Sequence, residues 1–591
     1  AVGWFPKFAL SNVQFPLIIM PRFVRHFSVF VLFIALVSLP SCTPQDLPTG
    51  SVRGGIVSTA QHVASDVGRD ILQQGGNAVD AAIATAFALA VVHPAAGNIG
   101  GGGFLVYHGA DGKVTTFNFR EKAPAAAGPA MFLTDGEIDE VKHHRALTST
   151  GVPGTVAGLA LAHKRLGSLP WADLLEPAIR LAEEGFPFTE NLMDFQERIL
   201  DSASSNPIYA STVRAFLKNG TEAHATGELL IQKDLAESLK RIRNNGADGF
   251  YKGETARLMA EFMAANGGLI TEQDMADYQA EELPAIHGTY RGYDIYSMPP
   301  PSSGGIAIVT MLNILEEYDM GAIEHNSAPY LHLLTEAMRR GFADRAQFIG
   351  DPNFNPDMPV DWLTSKKHAV DLASSINPDA ASPSDSSTFN GFMPYESEET
   401  THFSVADEAG NTVSMTYTLE NSYGNSIVVE GAGFLLNNEM GDFNPKPGHT
   451  DRSGNIGTLP NLTAPGKRML SSMTPVIVGQ NGRPVMAIGS PGGRTIINTS
   501  LQVVLNVLDH GMSIGDAIEA GRIHHQWLPD RTSYESTRFT AETMSAYEHL
   551  GHTISSRNGQ GSAMGIWIDW KAGVKYGASD SRSSEGSASG Y

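Results

Sequence analysis

The chain has 591 residues, with 41 Lys and Arg against 63 Asp and Glu, and a formal net charge of −22 at pH 7. That sign repels phosphate backbones, so nucleic acid is excluded as a partner. Apolar residues make up 42% and charged residues 18%, with 61 Gly and 33 Pro, the balance of a globular, turn-rich protein large enough for two domains or for one built from two extensive layers. The single cysteine, Cys42, rules out an intramolecular disulfide and a Cys-based zinc site.

Near the N-terminus, Arg22, Arg25 and His26 precede an apolar run over 27–39 that is too short to span a membrane, the pattern of an export signal. Met20 stands just before it, so residues 1–19 read as an upstream extension. The run Leu39-Pro40-Ser41-Cys42 resembles a bacterial lipobox, in which the cysteine carries lipid, becomes the mature N-terminus and attaches the protein to a membrane; Pro at the second position before Cys is atypical, and the plain alternative is a stray cysteine closing an ordinary signal. Both versions place the protein outside the bacterial cytoplasm, in the periplasm or as an outer-membrane lipoprotein.

Helical spacing runs over 58–74 and stops at Gly75-Gly76. A second, Ala-rich helix over 78–93 ends at Pro94 and, being almost free of polar residues, is expected between layers. Four glycines at 100–103 precede strands over 104–108 and 115–119, and the run lacks the spacing of a dinucleotide fingerprint. From 154 to about 348 the pattern is mostly helical, as in 155–165, 171–184, 233–244 and 330–348. The stretch 377–399, rich in Ser, Pro, Asp and Glu, reads as a linker and a boundary. Beyond it, alternation over 401–406 and 412–419 around the turn 407–411 predicts a hairpin.

If that turn centres on Ala409, Thr400 and Thr418 are each nine residues away and lie opposite each other. A threonine hydroxyl becomes a useful nucleophile when its own α-amine is free to act as base, which requires a cut before it. On these residues alone, two ordinary strand threonines are the simpler account. Gly489-Ser490-Pro491-Gly492-Gly493 leads into a helical pattern over 495–510, and consecutive glycines there present backbone N–H groups suited to an oxyanion, although a tight turn capping a helix is the commoner use. Adjacent His524 and His525 would point to opposite faces of a strand, and no metalloprotease or serine-hydrolase signature occurs.

Taken together, Thr400-Thr401-His402-Phe403-Ser404, Thr416-Tyr417-Thr418, the segment from Leu436 to Phe443, Ser471-Ser472-Met473-Thr474-Pro475, Gly489 to Gly493 and Gly577-Ala578-Ser579-Asp580 resemble the γ-glutamyltranspeptidases in order and spacing. Gly100 to Glu121, Gly151 to Gly154 and Ser302 to Gly305 extend the match, so it spans residue 50 to Tyr591. The resemblance implies an α/β fold, the αββα sandwich of N-terminal-nucleophile hydrolases. The fold would be made as one chain and cut into a large subunit (43–399) and a small one (400–591), with 1–42 the upstream extension and signal.

It also implies roles. Thr400 would be the self-cutting residue and the nucleophile, with Thr418 positioning its hydroxyl and Gly492 and Gly493 binding the oxyanion. Arg120, Ser471 and Ser472 would hold the donor's α-carboxylate; Glu420, Glu439 and Asp442 would take its α-ammonium. The partners are small γ-glutamyl donors such as glutathione, with water, amino acids or peptides as acceptors, and no metal or organic cofactor is needed. Two departures stand out. Position 420 is Asn in many members and Glu in others, and the loop 444–466, long enough for a lid, has no Tyr, Phe or Trp to gate the donor. Relatives with other acyl groups, such as glutaryl-cephalosporin acylases and poly-γ-glutamate depolymerases, and a non-catalytic surface binding protein are the alternatives.

Overall fold

In the computed structural model, the described residues are 50–203, 206–384, 400–448 and 458–591. Cys42 with its signal segment, most of the linker before Thr400 and the centre of the 444–466 loop lie outside them.

Two antiparallel seven-stranded sheets carry the architecture. The first runs Ser587–Gly590, Ile56–Thr59, Thr401–Ala406, Thr412–Thr418, Gly102–His108, Val114–Phe119 and Glu281–Leu283. The second runs Ser51–Val52, Val574–Ser579, Met564–Asp569, Arg483–Gly489, Val476–Gln480, Tyr293–Ser297 and Ile286–Tyr290. Each sheet therefore mixes strands from before and after Thr400, so 377–399 interrupts the sequence without dividing the fold.

The period-two alternation of the central hairpin sorts its side chains between layers. Phe403, Val405, Val413, Met415 and Tyr417 join the core formed with the helices His62–Gln73 and Ala78–Val92. His402, Ser404, Ser414 and Thr416 turn the other way, and Ser414 and Ser404 donate to the carbonyls of Ile488 and Met564 in the second sheet, at 3.2 and 3.3 Å. Apolar contacts such as Val106 with Ile477 and Ala487 fill the rest of the space between the sheets. His402 is clamped between Thr416 Oγ1 (2.8 Å) and Ser404 Oγ (3.0 Å), and burial lowers its pKa to about 3, so it stays neutral. On the far side, the helices Gly304–Glu316, Ala328–Phe348 and Thr495–Leu508 cover Val476, Val478, Met486 and Ile488. The order is helix, sheet, sheet, helix, as the resemblance implies.

Every residue of Ala78–Val92 is buried, as its lack of a polar face requires. Its one acid, Asp80, closes a capping box with Asn77 and accepts the backbone N–H groups of Ser168 (3.0 Å) and Leu169 (3.2 Å). Each large apolar side chain buried this way contributes about 1.5–3 kcal/mol. Among the described residues no helix is long and apolar enough to cross a membrane.

Two predicted elements differ. The pattern assigned to one helix over 58–74 begins as the strand Ile56–Thr59, and the helix starts at His62 behind the cap of Gln61, whose side chain accepts from Val63 N (2.7 Å). The helical middle region contains a hairpin, Ile286–Tyr290 with Tyr293–Ser297, that forms the edge of the second sheet. Its turn, Arg291-Gly292, has both residues at positive φ (49° and 82°), a two-residue hairpin signal inside an otherwise helical stretch.

Candidate active site

The hairpin register pairs Thr401 with Tyr417 and Ala406 with Thr412, so position 400, one step beyond the last pair, falls opposite Thr418. Both threonines are buried, at 6% and 3% exposure, at the end of a cleft. Thr418 Oγ1 accepts the N–H of Glu420 at 2.9 Å, which commits one of its lone pairs and leaves its proton to donate. Glu420 has a left-handed backbone (φ 80°), a conformation that costs a non-glycine residue of order 1–3 kcal/mol and that ends the strand at Thr418.

Close backbone packing explains the glycine run. A Cβ on Gly101 would collide with the carbonyl oxygen of Thr418. Asn98 bridges the same point, donating to Thr418 O (2.9 Å) while accepting from Gly101 N (2.9 Å) and Thr155 Oγ1 (2.7 Å). Asn437 is a second hub: it donates to Gly100 O and Gly151 O (both 2.8 Å) and accepts from Gly151 N (2.9 Å) and Glu439 N (3.1 Å). Four separate segments are thereby fixed by two buried amides, each with its polar atoms satisfied.

Arg120 follows the strand Val114–Phe119 and is fully buried. Its fork is ion-paired to Glu439 through Nη1 and to Asp442 through Nη2, and it also donates to Leu470 O (3.1 Å) and Met469 O (3.3 Å). Glu439 is buried, whereas Asp442 is 39% exposed to the cleft. Glu121 Oε2 lies 3.6 Å from the same guanidinium, yet neither of its oxygens makes a hydrogen bond of normal geometry among the described residues. Burial lowers the pKa of Arg120, but the three carboxylates outweigh this and raise it. Burial pushes Glu121 up to about 7 against the pull of Arg120, and drives Glu439 well above its ordinary value with help from its acidic neighbours. Glu420 is also raised, by burial first; His144 Nδ1, 3.6 Å away, works against it. Four carboxyl groups thus share one guanidinium and one imidazole, and this cluster is deficient in positive charge, while Arg345 and Arg494 line the same cleft.

Across the cleft, Ser302 forms a parallel bridge with Ser471, and Ser302 Oγ donates to Met473 O (2.8 Å). Gly492 and Gly493 sit between the strand Arg483–Gly489 and the helix Thr495–Leu508 with φ of 126° and 54°, values that favour glycine.

Arg120, Thr400, Thr418, Glu420, Glu439, Asp442, Ser471, Ser472 and Gly493 all line this one cleft; Gly492 is one residue behind it. Sequence reasoning assigned no role to Glu121, His143, His144, Arg345 or Arg494, the last four of which also line it. The π-turn Val141–Arg145 that carries the two histidines has no sequence signature, and Arg345 looks in the sequence like a charge in the last turn of a helix. Glu140, His143 and His144 bring ligand atoms within 4.8 Å of one another, as do His332, Glu336 and His552. In the first group His143 Nε2 is bonded to Phe443 O (3.1 Å). In the second the histidines bond each other (2.8 Å) and Glu336 pairs with Arg340 (2.6 Å), so that group is committed internally.

Because the folded pKa of Glu121 lies above its unfolded value, its protonated form stabilises the fold at low pH and this contribution is lost as pH rises through about 7. Replacing it by neutral Gln removes that loss. From pH 5 to pH 8, the stability of Glu121→Gln relative to the parent, both kept as one chain by Thr400→Ala, should improve by on the order of 1–3 kcal/mol, read from denaturant melts; a flat difference would show that Glu121 is already ionised at pH 5.

The γ-glutamyltranspeptidase family model matches residues 64–590. The glutathione hydrolase proenzyme of Escherichia coli is 41% identical, over 97% of this chain and all of its own. The acylase ACY 1 proenzyme of Pseudomonas sp. strain SE83 is 39% identical, over 81% and 84%. Among solved structures, a cephalosporin acylase from Bacillus halodurans superposes with a TM-score of 0.79 at 27% identity, covering 94% of this chain and 99% of that one. With the family model matched almost from end to end of the folded body, the chain belongs to the γ-glutamyltranspeptidase family.

Proposed function

We propose that the protein is a γ-glutamyltransferase and glutathione hydrolase whose nucleophile, Thr400, is exposed by a self-inflicted cut. The observation that carries this reading is the hairpin register, which sets position 400 opposite Thr418 in a cleft shared with Gly493 and the Arg120 cluster. In the precursor, Thr400 Oγ1 attacks the carbonyl carbon of Glu399; the C–N bond breaks, an ester forms, and water releases it to leave Thr400 with a free α-amine. That amine then takes the Oγ1 proton as the oxygen attacks the γ-carbonyl of the donor, and returns it to the departing amine. The N–H groups of Gly492 and Gly493 stabilise the tetrahedral oxyanion. Water or an amino-acid or peptide amine then attacks the γ-glutamyl ester and regenerates Thr400. Thr418, whose lone pair is held by Glu420 N–H, directs its proton toward the nucleophile.

The donor's head group decides between this reading and an acylase. Its α-carboxylate is assigned to Arg120, Ser471 and Ser472, and its α-ammonium to Glu420, Glu439 and Asp442. The excess of carboxyl groups supports a cationic guest: an ammonium relieves the imbalance, and a glutaryl group, with an anion and no cation, does not. Residues 20–42 are read as an export signal ending in lipidation of Cys42, outside the bacterial cytoplasm.

Thr400→Ala should give one uncut chain with no turnover, and Thr418→Ala a slower cut with reduced activity. A Thr400→Ala protein that still splits before residue 400, with proteases excluded, would overturn the nucleophile assignment. On matched anilides, kcat/KM for a γ-glutamyl donor should exceed that for a glutaryl donor by at least about 100-fold, since the latter brings no cation to the excess of carboxyl groups. Comparable values would favour the acylase reading.

A further inference from the structure

We propose that Arg345 is a positioning residue for the donor's α-carboxylate, acting through the hydroxyl of Ser472. The inference rests on the assignment of Ser471 and Ser472 to that carboxylate.

Arg345 lies in the last turn of the helix Ala328–Phe348, where the carbonyl end of the helix favours a cation. It is 8% exposed and lines the cleft. Its Nη2 donates to Ser472 Oγ at 2.9 Å and its Nε to Ser303 Oγ at 2.8 Å. A serine hydroxyl has one proton and two lone pairs, so each of these bonds fixes where the proton does not point. For Ser303 the outcome is visible: its Oγ donates to Ser471 O at 2.6 Å, and its N–H donates to the same carbonyl at 2.8 Å. The serine that Arg345 grips with Nε therefore anchors the backbone of Ser471.

Ser472 is half-buried at the cleft wall, and the guanidinium on its oxygen leaves the hydroxyl proton to donate away from Arg345, toward a guest. Ser471 Oγ is treated alike, since it accepts the N–H of Met473 at 3.2 Å. Two hydroxyls are thus preset as donors by N–H groups behind them, an arrangement that suits a carboxylate and disfavours an ammonium. The charge balance calls for it. Arg120 already faces Glu439, Asp442 and Glu121, so the carboxylate end of the donor gains little from that cation alone. Arg345 supplies a second positive charge, one hydroxyl removed from the guest, and polarises the O–H bond that touches it.

The test uses two anilide donors with the same leaving group: γ-glutamyl, and 4-aminobutanoyl, which keeps the ammonium and lacks the α-carboxylate. The parent should prefer the first, and Ser472→Ala should reduce that preference. Arg345→Met should raise KM for the γ-glutamyl donor about 10-fold with kcat within about 2-fold. It should leave kcat/KM for the 4-aminobutanoyl donor nearly unchanged and add less than about 2-fold in a Ser472→Ala background. Arg345→Lys, which keeps the positive charge and an N–H donor group without the fork, should recover part of the preference and guards against a fold defect, with the cut before Thr400 followed on gels. Equal losses on both donors, or full additivity with Ser472→Ala, would mark Arg345 as structural and overturn the inference. If Ser472→Ala itself leaves the preference intact while Arg345→Met lowers it, the carboxylate assignment of Ser472 fails and the route through its hydroxyl fails with it.

Discussion

The structure hangs on one pairing, that of Thr401–Ala406 with Thr412–Thr418 at the centre of the first sheet. A strand position can face only one of two layers, so this register simultaneously sends Phe403, Val405, Met415 and Tyr417 into the helical core and leaves the polar His402, Ser404 and Ser414 to link the sheets. A slip of one residue would bury the polar set under Ala78–Val92 and remove Thr400 from Thr418. Site geometry and core stability are therefore enforced by the same alternation.

Around that fixed point, the site is assembled from loops that add a small apolar cluster of their own, with Phe132, Met440, Phe443 and Met469, and that need polar ties between their backbones. Asn98 and Asn437 provide them, each joining backbone groups distant in sequence. The Arg120 cluster is organised differently. Its guanidinium is saturated by carboxylates, and burial holds Glu121 and Glu439 at raised pKa, so the cluster keeps electrostatic strain.

Much of this was legible in the sequence because it follows from short-range rules. Alternation over 401–419 located the hairpin, the Ala-rich run 78–93 located the buried helix, and symmetry about Ala409 brought Thr400 to Thr418. The motifs that resemble the family then brought Arg120, Glu439, Asp442, Ser471 and Ser472 to one cleft. What escaped depends on tertiary contact. The hairpin 286–297 lies in a stretch dominated by helical patterns, and its place at the edge of the second sheet comes from pairing with the distant strand Val476–Gln480. The grip of Arg345 on Ser472 joins residues 127 apart, and the buried carboxyl of Glu121, which has no hydrogen bond of normal geometry among the described residues, is set beside Arg120 by the fold.

The mixing of strands from both sides of Thr400 bears on how the protein survives its own processing. The proposed cut before Thr400 would remove one covalent link but no strand pairing, because Ile56–Thr59 and Gly102–His108 flank the hairpin on either side. Separating the pieces would expose edges and core at once, so dissociation is as slow as global unfolding. Once unfolded, however, the two fragments must find each other as a bimolecular reaction, without the effective concentration that the intact chain enjoyed. Such a cut would turn a chain whose folding is unimolecular into two fragments held together mainly by the height of their unfolding barrier.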